Sequence, residues 1–224
     1  SYLAWSKIMH ILLHLMVANF SLSRTCAFSI SRFFAHGSHR MRAPLTSWTK
    51  LEGGFGFSSP SKEEKDPGNV SGTTLSILKY PHPLLRAEND EVTSFDDDLK
   101  QLAKEMLLLM YAADGIGLAA PQVGVNRKVM VFNEAGDPEK TESELVLVNP
   151  IIKSRSAEVE WREEGCLSFP MIYGDVQRSV DIEVEYKDLD GVIKDVIFKN
   201  LVARIFQHEY DHLEKVLFID RLDE

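Results

Sequence analysis

Between Lys128 and Phe198 the chain holds five short runs rich in Val and Ile: "KVMVFN", "LVLVNPII", "AEVEW", "DIEVEY" and "IKDVIF". Runs of this length and composition form strands, and several alternate apolar with charged residues, the period of a half-buried sheet. Parallel neighbours need long crossover connections, usually helical, and these runs lie too close together to hold them. The spacing therefore predicts a largely antiparallel sheet. "DLDG", Asp188 to Gly191, is a hairpin-type turn between the last two runs.

Helical patterns flank the strands. "DDDLKQLAKEMLLLMYAAD" places Leu99, Leu102, Ala103, Met106, Leu109, Met110 and Ala113 at helical spacing, with Thr93 or Ser94 as N-cap and a stop at Asp114-Gly115. A second helix is expected from about Leu201 to Glu214, with Asn200 as its N-cap. The expected fold class is α+β: a compact domain of mostly antiparallel strands packed around a C-terminal helix, with an N-terminal helix. With 224 residues, 44% of them apolar, the chain can build such a core.

The formal charge of −9 argues against nucleic-acid binding through a basic face for the protein as a whole, and none is expected. That total hides an asymmetry, because residues 1–51 contain six Lys and Arg and no Asp or Glu. The run "IMHILLHLMVANF", Ile8 to Phe20, is at about 13 residues too short to span a bilayer, which takes about 20. It fits the core of a secretory signal, with "TCA" ending at Ala27 as a small-residue cleavage site. The next stretch, "FSISRFFAHGSHRMRAPLTSW", contains Ser and Arg and lacks acid, as transit peptides do. A signal-like core followed by a transit-like stretch resembles the two-part leader of plastid proteins in algae with complex plastids; a mitochondrial leader and a membrane-peripheral or merely disordered tail are the rival readings. Glu52 to Thr73 is rich in Gly, Ser, Pro and charge, the composition of a linker. Residues 1–72 are accordingly read as a targeting leader and linker, residues 73–224 as the folded domain, with no stable membrane insertion of the latter.

The chemistry is carried by three short motifs. In "QHEYDH" a helix would put His208 and His212 one turn apart on one face, so both imidazoles can reach one ion. Glu209 lies about 100° round from His208, a poor third ligand and a good base. The competing reading is two surface histidines on an amphipathic helix. "EEGCLSFP" offers Cys166 in a Gly-containing turn; its thiolate is a soft ligand, although a lone cysteine is more often a small buried hydrophobe. With only Cys26 and Cys166 present, a disulfide would have to join the N-terminal stretch to the acidic body, and no disulfide framework is expected. "GIGLAAPQVGV" has glycines that let a backbone run close to another chain, and Gln122 supplies an amide donor. No Lys-Ser/Thr follows, so it is not a phosphate loop, and it could also be merely a tight helix-to-strand crossing.

In this order and at this spacing, "GIGLAAPQVG", "EGCLS" and "QHEYDH" resemble the three signature motifs of peptide deformylases, and "LKYPHPLLR" and "VLFIDRL" resemble that family's flanking segments. The resemblance runs from about Leu75 to the C-terminus. It implies that Cys166, His208 and His212 hold one divalent ion, usually ferrous iron (Fe2+), with zinc or nickel as alternatives. It implies that Glu209 is the general base for a metal-bound water that attacks a formyl carbon, while Gln122 and the backbone N–H of Leu167 steady the oxyanion. Ile116, Leu201 and Ile205 match the methionine pocket, Gly117 and Gly165 the positions along the substrate backbone, and Glu164 and Arg178 a pair that braces the cysteine loop. The implied reaction removes the formyl group from the N-terminal formyl-methionine of new polypeptides and releases formate, near organellar ribosomes. Formylated initiation belongs to bacteria and bacterium-derived organelles, which agrees with an organellar leader, plastid ahead of mitochondrion.

One departure is Lys215, where the family usually has glycine after the metal helix; a positive φ there costs lysine on the order of 1 kcal/mol. Two other readings compete. A zinc endopeptidase of the His-Glu-x-x-His class would want a third His or Glu after the helix, and no histidine follows His212. A non-catalytic metal-binding or ribosome-associated module could dispense with Glu209 and Gln122, and both are present.

Overall fold

The computed structural model describes residues 66–222. The leader, and the expected linker up to residue 65, lie outside the described residues.

Helix α1, Asp97–Ala112, is followed by strands β1 (Gly117–Ala119), β2 (Val129–Asn133), β3 (Glu144–Arg155), β4 (Val159–Cys166), β5 (Phe169–Ser179), β6 (Asp181–Lys187) and β7 (Ile193–Lys199), then helix α2, Asn200–Leu213. Five strands form one sheet in the order β1-β2-β3-β6-β7, and β4 and β5 form a separate pair. Every pairing is antiparallel, as the close spacing predicts. No helix among the described residues is long and apolar enough to cross a membrane.

The larger sheet is covered on both faces, and β2 shows how. Val129 and Val131 point into a core cluster with Leu99, Met106, Leu109 and Met110 of α1. Met130 and Phe132, on the opposite face, join Leu147, Ile182, Val184 and Phe198 against Ile205 and Phe206 of α2. A central strand buried on both faces has no polar alternation, which is why "KVMVFN" reads as a nearly continuous apolar run. At β6 the expected alternation holds, with Ile182 and Val184 buried and Glu183 exposed. A third cluster joins Cys166, Phe169 and Val176 of the β4–β5 pair to Leu85, Leu217 and Phe218. The body reaches upstream of its first helix: Val70 packs against the α1 cluster, and the Thr73 hydroxyl donates to Glu105 at 2.7 Å.

Several local expectations are corrected. The N-cap of α1 is Asp96, whose Oδ1 accepts from the Leu99 N–H at 3.0 Å, while the Ser94 hydroxyl donates to its other oxygen at 2.6 Å. A carboxylate is the stronger acceptor and takes the cap; Ser94 supports it from outside. Helix α1 ends at Ala112, and Asp114 turns the chain with φ 55. The Gly115 N–H then reaches back to the Met110 carbonyl and the Asp114 N–H to the Tyr111 carbonyl, the paired bonds of a Schellman ending. Asn200 is not an N-cap: it is the first residue of α2, with φ 51, and Lys199 before it makes no side-chain cap bond. Strands β1 and β5 escape sequence reading because β1 is three residues long and β5 carries polar residues on both faces. Cys166 is the last residue of β4, at a register shift, rather than in a free-standing turn.

Candidate active site

Helix α2 packs across β1 and beside β5, and its His208 and His212 reach Glu164 and Cys166 at the end of β4. Ligand atoms of Cys166, His208 and His212 lie within 4.8 Å of one another. The sulfur of Cys166 is 3.3 Å from His212 Nε2. On the far side of the other ring, His208 Nδ1–H donates to Glu164 Oε2 at 2.9 Å. A carboxylate can only accept, so this bond fixes the proton on Nδ1 and leaves the Nε2 lone pair for the cluster.

The chemistry of these donors fits one divalent ion. Burial lowers the basicity of His208, yet its hydrogen bonds with Cys166 and Glu164 outweigh burial and hold its pKa well above the ordinary value. A proton and a metal cation compete for the same lone pair, so this is a place that favours positive charge. His212 is pushed well below the ordinary value by burial and by the charges of His208 and Arg178, which keeps it neutral, the form that ligates. Three protein donors rather than four is the set of a catalytic centre, since structural sites close all four positions.

Glu209 stands beside this cluster. It is 4% exposed, and its Oε2 is buried without a hydrogen-bond partner. Burial, with the nearby charge of Glu164, raises its pKa to about 7 against the opposing pull of His208 and Arg178. A carboxylate near neutrality is poised to take and return a proton. Gly117 makes room for it: a Cβ there would overlap Glu209 Oε1 and come within 3.0 Å of Ile205 Cγ2.

Gln122 is held in a short 3-10 helix, Ala120–Val123. Its side-chain oxygen accepts from the Ala119 N–H at 2.8 Å. That bond turns the amide nitrogen toward Ser168 Oγ, at 3.3 Å, and Cys166 Sγ, at 3.5 Å. Leu167 follows Cys166 directly, half buried, with its side chain against the α1 cluster and its carbonyl accepting from Lys79 Nζ at 2.6 Å. Ile116 and Leu201 are exposed apolar residues, 39% and 41% respectively, whereas Ile205 is buried beneath Gly117. Gly165 has a structural reason of its own: Tyr173 lies across it, and a Cβ would sit 2.6 Å from that ring.

Glu164 and Arg178 are brought together as the sequence suggests, Arg178 Nε and Nη2 donating to the two carboxylate oxygens at 3.1 and 3.0 Å. The pair is part of a larger buried network that sequence reading missed. Arg204 donates to Glu164 Oε1 at 2.7 Å and to the Val176 and Glu160 carbonyls. Arg178 also pairs with Asp211, which Arg221 holds from outside at 2.7 Å. Burial pushes the Glu164 carboxyl up, but hydrogen bonds from His208 and Arg178 and the guanidinium charge win and hold it at about 2. Glu164 is thus ionised whenever the protein is folded near neutrality, a fixed anion behind His208. The spacing of Arg204, His208 and Asp211 along one helix face was the signal available for the missed partners.

A helix carrying two imidazoles and a buried carboxylate, backed by antiparallel strands and completed by a strand-end cysteine, defines an α+β domain with the donor set for one metal ion. The chain belongs to the polypeptide deformylase family, whose sequence profile matches residues 74–224. It is 50% identical over 148 residues to "Peptide deformylase 1B, chloroplastic" of Solanum lycopersicum, covering 66% of this chain and 53% of that protein. To "Peptide deformylase 1B, chloroplastic/mitochondrial" of Arabidopsis thaliana it is 51% identical over 150 residues, covering 67% and 55%. It also superimposes on the crystal structure of a plant peptide deformylase 1B with a TM-score of 0.66 at 50% identity, covering 68% of this chain and 82% of that one. The matched part is thus about half the length of these two curated relatives.

Proposed function

We propose that the chain removes the formyl group from the N-terminal formyl-methionine of newly made polypeptides. The single observation that carries this is the cluster of Cys166, His208 and His212 with the Glu209 carboxylate, its Oε2 buried without a hydrogen-bond partner, beside it. These three residues would hold one divalent ion, and among Fe2+, Zn2+ and Ni2+ we favour Fe2+. When bound, such an ion supplies Lewis-acid chemistry and lowers the pKa of water.

The chain's own residues do the rest. Glu209, raised to about 7, takes a proton from the attacking water as its oxygen bonds to the formyl carbon, then hands it to the leaving nitrogen as the C–N bond breaks. Formate and a free amino terminus result. Gln122 Nε2 and the Leu167 N–H donate to the oxygen that gains charge at that carbon. Ile116, Leu201 and Ile205 receive the methionine side chain, and Gly117 and Gly165 leave space for the peptide backbone alongside them. Glu164 and Arg178 brace the cysteine strand and orient His208.

The matched relatives named chloroplastic or mitochondrial support an organellar setting, and a signal-like run, Ile8 to Phe20, ahead of a transit-like stretch favours a plastid. In this reading residues 1–72 are the leader and linker, residues 73–224 are the catalytic domain, and nascent formyl-methionyl chains near organellar ribosomes are the partner. Formate release by the full chain, purified without oxygen and analysed for metal, tests the function. Formyl-Met peptide should be turned over and acetyl-Met peptide hardly at all, because the added methyl crowds a site shaped for a hydrogen. Equal turnover of the two, or none of the first, would sink the assignment.

A further inference from the structure

The segment Leu78 to Tyr80 touches both halves of the site in three consecutive steps. The Leu78 N–H donates to the Gln122 carbonyl at 2.8 Å and the Tyr80 N–H to the Ser168 carbonyl at 2.9 Å. Between them the Lys79 ammonium donates to the Leu167 carbonyl at 2.6 Å. The Tyr80 ring then stacks on Phe169, centroids 4.9 Å apart, so the strap is anchored just beyond the cysteine loop as well. Gln122 itself reaches Ser168 Oγ from the other side. The two elements proposed to donate to the reacting carbonyl oxygen are therefore tied to one short stretch of chain.

Of these three hydrogen bonds the one from Lys79 is made by a side chain, and its loss leaves the two backbone bonds of the strap intact. A hydrogen bond from an ammonium is roughly twice as strong as a neutral one. Lys79 is half buried, which shields the bond from solvent. Its acceptor is the carbonyl of the residue whose N–H faces the site in the proposed mechanism. Fixing that carbonyl limits rotation of the Leu167 backbone between Cys166 and the Tyr80-held Ser168.

We propose that Lys79 is a positioning residue for the reaction: by holding the Leu167 carbonyl it keeps the Leu167 N–H aimed at the reacting oxygen, at a fixed distance from Gln122. This rests on the deformylase reading. Removing an oxyanion donor costs about 10²–10³ in rate. Loosening a donor that stays in place should cost less, about tenfold, and should fall on the chemical step rather than on binding.

The test uses the full chain loaded with Fe2+ in the absence of oxygen, with formyl-Met-Ala-Ser as substrate, measuring kcat, KM and bound metal separately. Lys79→Met is expected to lower kcat about tenfold while KM and metal content stay within about twofold. Lys79→Arg, which can still donate to the carbonyl, should recover most of the loss. Lys100→Met, which removes an exposed α1 lysine paired with Asp190, should match the parent. Should Lys79→Met fail to fold, Lys79→Gln, a neutral donor, should give a kcat between parent and one tenth of it. Parent-like kcat in Lys79→Met or in Lys79→Gln, an Arg variant no better than Met, or a loss that tracks metal or KM would overturn the proposal with the deformylase reading intact. No formate from the parent chain overturns both.

Discussion

Glu209 and Gly117 form a unit in which one residue's function depends on another's lack of a side chain. Glu209→Gln keeps size and hydrogen bonding but cannot accept a proton, so formate release should fall by at least about 10²-fold, the low end for acid–base catalysis. Metal content should be unchanged, as measured by metal analysis of the purified variant; loss of metal together with activity would make Glu209 a ligand instead. Gly117→Ala approaches the same carboxylate from the other side. Its Cβ would overlap Glu209 Oε1 and crowd Ile205 Cγ2, so Glu209 must shift. A misplacement of about 1 Å costs on the order of 10²-fold in rate. This variant should therefore lose kcat with metal retained, and parent-like kcat would mean that the carboxylate relaxes without consequence.

At the scale of elements, the end of α2 departs from the rule its geometry follows. The Val216 N–H bonds to the Asp211 carbonyl at 2.8 Å and the Lys215 N–H to the His212 carbonyl at 3.2 Å, a Schellman ending that places Lys215 at φ 63. Left-handed backbone suits glycine, so Lys215→Gly should stabilise the fold by about 1 kcal/mol, read as a higher urea midpoint. The lost ion pair to the exposed Glu88 offsets little of this. Downstream, Arg86 grips Asp220 at 2.6 and 2.9 Å and ties the C-terminal 3-10 helix Phe218–Asp220 to the one at Pro83–Arg86. Burial pushes the Asp220 carboxyl up, but the Arg86 hydrogen bond and the Leu217 N–H hold it below its ordinary 3.8. A depressed carboxyl contributes stability that is present above its unfolded pKa and lost as pH falls through the folded one. Asp220→Asn should thus cost up to about 1 kcal/mol at pH 7, since the pair is partly exposed. Denaturation of parent and variant should converge below pH 3.8. A difference that persists in acid would assign the effect to packing instead.

On the scale of the whole molecule, the chain divides by charge. The acid-free residues 1–51 precede a body that carries all 34 acidic residues of the protein with the linker. Targeting leaders are recognised by their charge and apolar core, and on the proposed reading residues 1–72 carry both. Residues 1–72 fused to a fluorescent protein should direct it to an organelle; diffuse cytosolic fluorescence would count against the leader. Because Val70 and Thr73 are already tied to α1, a cleavage upstream of Val70 leaves the described core untouched.

What the sequence determined by itself was everything set by local period. Alternation and close spacing gave the antiparallel sheet, the 3.6-residue repeat gave both helices, and a four-residue interval put His208 and His212 on one face. These features come from backbone geometry alone, so they hold wherever the elements end up. That Cys166 lies beside the two histidines was one of two readings of a lone thiol and was singled out only by family resemblance, because its strand and the helix meet through packing rather than through any repeat in the chain. Tertiary structure alone decided that β2 is buried on both faces, that Arg204, Asp211 and Arg221 complete the network around Glu164 and Arg178, and that Lys79 reaches Leu167. Each of these depends on which surfaces exclude water together, and a buried charge or carbonyl finds its partner among whatever groups that exclusion brings within reach.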